Sequence, residues 1–86
     1  MRIELGGAVD AGRVPELWAR HRAAGAVEAI DLSAVTRLDS AGVALIRQLQ
    51  RRSRAAGGST RLLHVPADYR QLLEAHRLAP LGDDDG

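Results

Sequence analysis

The 86-residue chain carries twelve basic and eleven acidic residues, for a formal charge of +1, which excludes the pronounced basic excess of a dedicated nucleic-acid binder. All twelve basic residues are Arg, so lysine nucleophiles, Schiff-base lysines and phosphate-loop lysines are absent, and with no Cys there is no disulfide or thiol chemistry. A single domain is expected with a core of Leu, Val, Ile and Ala, because there is no Phe and the aromatics are Trp18 and Tyr69; a chain this short buries only about 60 % of the surface its unfolded form exposes, so a stabilising partner would suit it.

Arg2 to Leu5 alternates polar and apolar side chains and predicts a strand, ended by Gly6-Gly7. Pro15 suits the first turn of a helix, where its missing amide would be unpaired anyway. Val14, Leu17, Trp18, His21 and Ala24 form that helix's apolar stripe, which stops at Gly25. Val27 to Leu32 is largely apolar and reads as a central parallel strand covered by helices. A helix from about Ser40 to Ala56 follows, with Val43, Ile46 and Leu49 at helical spacing and Gly57-Gly58 as its stop. Thr60 to Val65 predicts a further strand, broken by Pro66. Tyr69, Leu72, Leu73 and His76 share one face of a last helix, roughly Ala67 to Leu78, closed by Pro80.

The order is β-α-β-α-β-α, which implies an α/β domain with a mainly parallel sheet and right-handed crossover helices. It occupies residues 1–81, and the acidic run Gly82-Asp83-Asp84-Asp85-Gly86 is expected to be a disordered tail. No apolar run approaches the ~20 residues of a membrane span, and Met1-Arg2-Ile3-Glu4 lacks a signal peptide's apolar stretch. A cytoplasmic protein that does not itself insert into the membrane is expected.

The most informative segment runs from Ile30 to Ile46, where a short apolar strand carrying Asp31 leads to a helix that opens on Asp39 and Ser40. Either side chain can accept a bond from the free amides of the first turn, and the positive end of the helix dipole favours negative charge, including a phosphate on Ser40. Gly42 costs up to about 1 kcal/mol relative to Ala inside a helix, and close approach of another backbone is a common reason to tolerate it. Arg47, Arg51 and Arg54, with Arg52 alongside, predict a basic face, most simply a solvated one.

Asp31 to Val35 followed by Asp39 to Gly42 resembles the signature of STAS domains, an Asp-Leu-Ser-x-Val segment ahead of Asp-Ser/Thr-x-Gly and an apolar helix. Gly7-Ala8-Val9-Asp10 followed by Val14-Pro15-Glu16-Leu17-Trp18 is similar to that family's second strand and first helix, so the resemblance spans most of the chain. The Pro-Glu-Leu-Trp helix and the small size bring it nearest the MlaB type, small STAS subunits of bacterial phospholipid-transport ABC complexes. STAS domains carry a strand ahead of the one at Arg2 to Leu5. Its absence here leaves the first sheet edge bare, unless residues upstream of Met1 or another chain cover it.

The resemblance implies a non-enzymatic subunit without cofactor or metal. Its partner would be an MlaF-like ABC ATPase, held at the cytoplasmic side of the inner membrane. Asp39, Ser40, Gly42, Val43 and Arg47 would form the contact, with the partner lying against Gly42, and the basic face would meet acidic residues of the ATPase or lie near anionic lipid. The alternative implied by the same family is an anti-sigma factor antagonist, whose kinase partner binds unphosphorylated Ser40 and is released by its phosphorylation. The remaining chemistry is sparse. Asp39 reads equally as an ordinary cap, and Asp31 as a strand-end charge with local amide partners. His21 and His76 fall on apolar stripes, where packing outweighs ligation, and His64 sits between Leu63 and Val65 without metal-ligand spacing. A Ser40-His64-Asp39 triad can be written, yet nothing in the sequence brings His64 to the serine or supplies an oxyanion hole.

Overall fold

The computed structural model describes residues 1–77, so the expected end of the domain at 81 and the acidic run 82–86 lie outside the described residues. Three strands, β1 (Arg2–Val9), β2 (Ala29–Leu38) and β3 (Arg61–Leu63), alternate with three helices, α1 (Val14–His21), α2 (Ser40–Ala55) and α3 (Ala67–Ala75). The sheet order is β1-β2-β3 and both pairings are parallel. This is the α/β architecture and element order predicted from sequence.

The register decides what is buried. Ile3, Ile30 and Leu62 are Cα partners across the sheet, and with Leu5 and Leu32 they form one cluster with Leu17 of α1, Val43, Ile46 and Leu49 of α2, and Tyr69 and Leu73 of α3. The helices therefore cover this face, with α2 packed against both α1 and α3. The other face carries the rows Arg2–Ala29–Arg61 and Glu4–Asp31–Leu63. β2 is the central strand, as expected, and the helices cover it on the face of the sheet that carries Ile30. Ala29 and Asp31 are shielded by charged neighbours, since Arg2 and Arg61 flank Ala29 in the register and Asp31 is bonded to Arg2 and His64.

Several predicted boundaries move. Gly6-Gly7 do not end β1; they sit inside it, at register shifts between Glu4 and Gly6 and between Gly7 and Ala8. Gly7 takes φ +70, which glycine adopts without the Cβ penalty. The Arg13 guanidinium donates to the carbonyls of Gly6 (2.8 Å) and Ala8 (3.1 Å) at this irregular stretch. Because β1 continues, β2 has a partner beyond Leu32 and extends through Ser33-Ala34-Val35-Thr36-Arg37 to Leu38, with Gly6 against Ala34 and Val9 against Leu38. β3 is shorter than predicted and α3 ends at Ala75 with His76 as its cap. His76 is exposed, not part of the apolar face. Among the described residues β1 is an edge strand.

Candidate functional site

The signature helix is held at its start by Asp39. In an extended conformation (φ −125, ψ −175), Asp39 accepts a bond from the Gly42 amide through Oδ1 (2.9 Å) and one from the Ala11 amide through Oδ2 (3.1 Å). One carboxylate thus caps α2 and ties it to the turn after β1. The Gly42 amide first, and the Ala11 amide next, hold its carboxyl below the usual carboxylate range. That leaves Ser40 outside the cap, as the exposed first residue of the helix.

Gly42 is buried, and the space beside it is filled by the carbonyl of Val9. The expected close approach therefore exists, but it is made by β1 of this chain and not by a partner. Val43 is core, at 1 % exposure. Arg47 is also buried, at 8 %, which removes it from the solvated face predicted for Arg47, Arg51 and Arg54; α2 lies between two helices, so its buried arc is wider than an edge helix would have. Of the five residues expected at the contact, Ser40 is the exposed one and Asp39 is half-buried, whereas Gly42, Val43 and Arg47 support the helix from within.

What α2 presents outward is the row Ser40, Ala44, Gln48 and Arg51, all exposed. These positions recur every three to four residues, so they share one face. The signal was available in sequence: with Val43, Ile46 and Leu49 inward, the residues four and eight beyond Ser40 must face out. On one side of this ridge, between α2 and the end of α3, is a groove of about 510 Å3 with Val43 and Ala44 in its wall and Arg47, Arg51 and His76 as its ionisable lining. On the other side, against α1, a groove of about 250 Å3 is lined by Val14, Trp18, Ala41, Ala44, Leu45 and Gln48. Arg52 stacks 5.4 Å from the Trp18 ring centre and donates to the Arg22 carbonyl (2.6 Å), fixing α1 beside α2.

A second polar cluster lies on the opposite face of the sheet. Asp31, 6 % exposed, accepts bonds from the Ser33 amide (2.9 Å) and from an Arg2 guanidinium nitrogen, and its Oδ1 meets His64 Nδ1 at 3.1 Å. The local amide partner was expected; Arg2 and His64 were not, because they are distant in sequence. His64 itself follows β3 in the left-handed region (φ 56) instead of continuing the strand. It is thereby bonded to Asp31, while Asp39 is engaged by backbone amides, so Ser40, His64 and Asp39 are not assembled. His21, half-buried on α1, has its pKa lowered by desolvation first and by Arg20 next. Among the described residues no group of His, Asp or Glu could hold a metal ion, and no helix is long and apolar enough to cross a membrane.

Comparison with known proteins bears on this architecture. No curated protein sequence matches the chain. A solved structure, that of the unphosphorylated anti-sigma factor antagonist SpoIIAA, is similar over 99 % of this chain and 78 % of its own, at 29 % identity and a TM-score of 0.70. A family model described as "Mlab, STAS domain" matches residues 1–82. With its three-stranded parallel sheet and its capped signature helix, the chain belongs to the Mlab-type STAS domain family.

Proposed function

We propose that this protein is a non-enzymatic accessory subunit that docks the outward ridge of α2 on the ABC ATPase of an MlaB-type phospholipid-transport system, and so helps maintain outer-membrane lipid asymmetry. The observation that carries this reading is the separation of roles at the helix start: Asp39 holds α2 to the turn after β1 and caps it through two amides, which leaves Ser40 exposed at the head of a ridge that begins with the small residues Ser40 and Ala44 and is flanked by two grooves. Small side chains such as Ser40 and Ala44 let a partner approach closely, and burial of the apolar lining supplies the driving force. The subunit would work in the cytoplasm, at the inner membrane through its complex alone. Its own chemistry would be nil, so the purified protein should show no ATP, ester or phosphate hydrolysis.

The test is co-expression with an MlaF-like ABC ATPase from the same organism, followed by size-exclusion chromatography. Wild type and Ser40→Ala should co-elute with the ATPase and Ser40→Glu should separate from it while remaining folded. Failure of wild type to co-elute would end this reading.

The likeness to SpoIIAA favours a second reading, an anti-sigma factor antagonist switched by phosphorylation at Ser40. An exposed hydroxyl at a helix N-terminus can be reached by a kinase, and the dipole there accommodates phosphate. Neighbouring genes for a sigma factor and a kinase, together with a phosphate found on Ser40 by mass spectrometry after incubation with that kinase and ATP, would select it.

A further inference from the structure

Resting on the reading of α2 as the docking element, we infer that the docking surface is polarised: the partner presents carboxylates to the α2–α3 groove and aliphatic side chains to the α1–α2 groove, astride the ridge Ser40–Ala44–Gln48. The occupant is an acidic amphipathic segment of a partner protein, seated in a fixed orientation.

The two grooves differ in chemistry. Every ionisable side chain among the described lining of the α2–α3 groove is basic, namely Arg47, Arg51 and His76. Arg51 and His76 are exposed there. The positive end of the α2 dipole lies at Ser40, which lines the same groove, and adds to the field. The α1–α2 groove has no ionisable lining; Val14, Trp18, Ala41, Ala44 and Leu45 leave it almost entirely apolar, with Gln48 as its polar residue. A carboxylate placed in this second groove would lose hydration without a cation to meet it, and a lysine placed in the first would face Arg51. Only a segment with acidic residues on one flank and apolar residues on the other satisfies both grooves. Ala44 and Gln48 line both, so one occupant spans them.

The probes are two synthetic helical peptides of equal length and identical leucine flank, one with Glu and one with Lys on the other flank. They are titrated into the isotopically labelled full chain at low and at physiological salt, with backbone amide shifts as the readout. The Glu peptide should perturb Ser40–Arg51, His76 and Trp18, weaken as salt rises, and bind at least about tenfold more tightly than the Lys peptide. Arg51→Glu with His76→Glu, both exposed positions, should invert that preference without changing the unfolding midpoint by more than a few degrees. Equal binding of the two peptides, or shifts confined to the open face of the sheet around Arg2 and Arg61, would overturn the inference. So would α2 shifts produced by raising the protein concentration alone, which would make a second copy the occupant. Loss of pre-existing α2 shifts on changing Asp83, Asp84 and Asp85 to Asn would make it the chain's own acidic run. Because the peptide titration contains no ATPase, it stands or falls separately from the co-elution test of the proposed function.

Discussion

Gly42 rests directly on the carbonyl of Val9: a Cβ built at Gly42 would fall onto that group, 2.9 Å from its carbon and 2.8 Å from Leu38 Cδ1. Two of the three obstructions are backbone of β1, which cannot swing aside as a flexible side chain can. Gly42→Ala is therefore predicted to destabilise the domain by at least about 1–3 kcal/mol, although alanine is the better helix former. Thermal unfolding followed by circular dichroism tests this, with a fall of several degrees expected; an unchanged or raised midpoint would show that α2 can move away from β1. For the same reason Gly42→Leu would disturb folding before it could report on any contact made by α2.

The cap makes a paired prediction. Asp39→Ala removes the acceptor for the Gly42 and Ala11 amides and should cost about 0.5–2 kcal/mol. Asp39→Asn keeps a capping oxygen and should lose less. Ser40→Ala, at an exposed position outside the cap, should stay within about 0.5 kcal/mol of wild type. Urea unfolding of the three variants checks the order; a loss for Ser40→Ala equal to that for Asp39→Ala would return the capping role to the serine.

The extent to which the sequence announces this structure follows from which signals are local. Helical spacing of Val43, Ile46 and Leu49 and the stop at Gly57-Gly58 placed α2 to within a residue, because periodicity and caps are read off neighbouring positions. From sequence the Gly6-Gly7 pair reads as a strand end, whereas it lies inside β1. A bulge and a turn ask the same conformational freedom of glycine, and only pairing with Ala34 and Val35 distinguishes them. The continuation of β2 through Ser33 to Leu38 was invisible for the same reason, since its polar residues become a strand through the second half of β1. At the candidate site Asp39 and Ser40 were legible as a helix start. Gly42 correctly signalled a close approach, but the approaching backbone was Val9, 33 positions away in the chain, and no local pattern encodes that. Arg47 falls by spacing on the same face as Arg51 and Arg54, and only the helices on both sides of α2, which no local pattern encodes, bury it.

Ser53 carries a structural role that its residue type alone does not suggest. It is fully buried on α2, and its hydroxyl both accepts from the Val27 amide (2.8 Å) and donates to the Val27 carbonyl (3.0 Å). Thr60 donates to the same carbonyl (2.6 Å). Ser53→Ala leaves the Val27 amide without this acceptor while the carbonyl keeps Thr60, so a loss of about 1–3 kcal/mol is predicted. Thr60→Ala, which leaves both Ser53 bonds in place, should cost less. Denaturant unfolding compares the two, and the reverse order would show that Thr60 is the main anchor of the segment leading into β2.

The Asp31 cluster predicts a pH dependence whose sign can be worked out. The Ser33 amide first, then Arg2, the Ser33 hydroxyl and His64, hold the Asp31 carboxyl far below the ordinary carboxylate range. A carboxyl whose folded pKa lies below its unfolded value, about 4, stabilises the fold fully above that value, and the contribution fades as pH falls below it. Asp39 acts in the same direction and the same window. The domain should therefore lose stability between about pH 5 and pH 2. Asp31→Asn keeps the shape but not the charge, so its deficit relative to wild type should be greatest at pH 7 and shrink through that window, as Asp31 of the unfolded wild-type chain takes up a proton that the folded carboxylate does not. Unfolding midpoints in urea at pH 7, 4 and 2.5 measure it. A deficit that stays constant from pH 7 to pH 2.5 would mean that the carboxylate's charge is not what binds Arg2, Ser33 and His64 together, and that shape and neutral hydrogen bonds hold this face of the sheet.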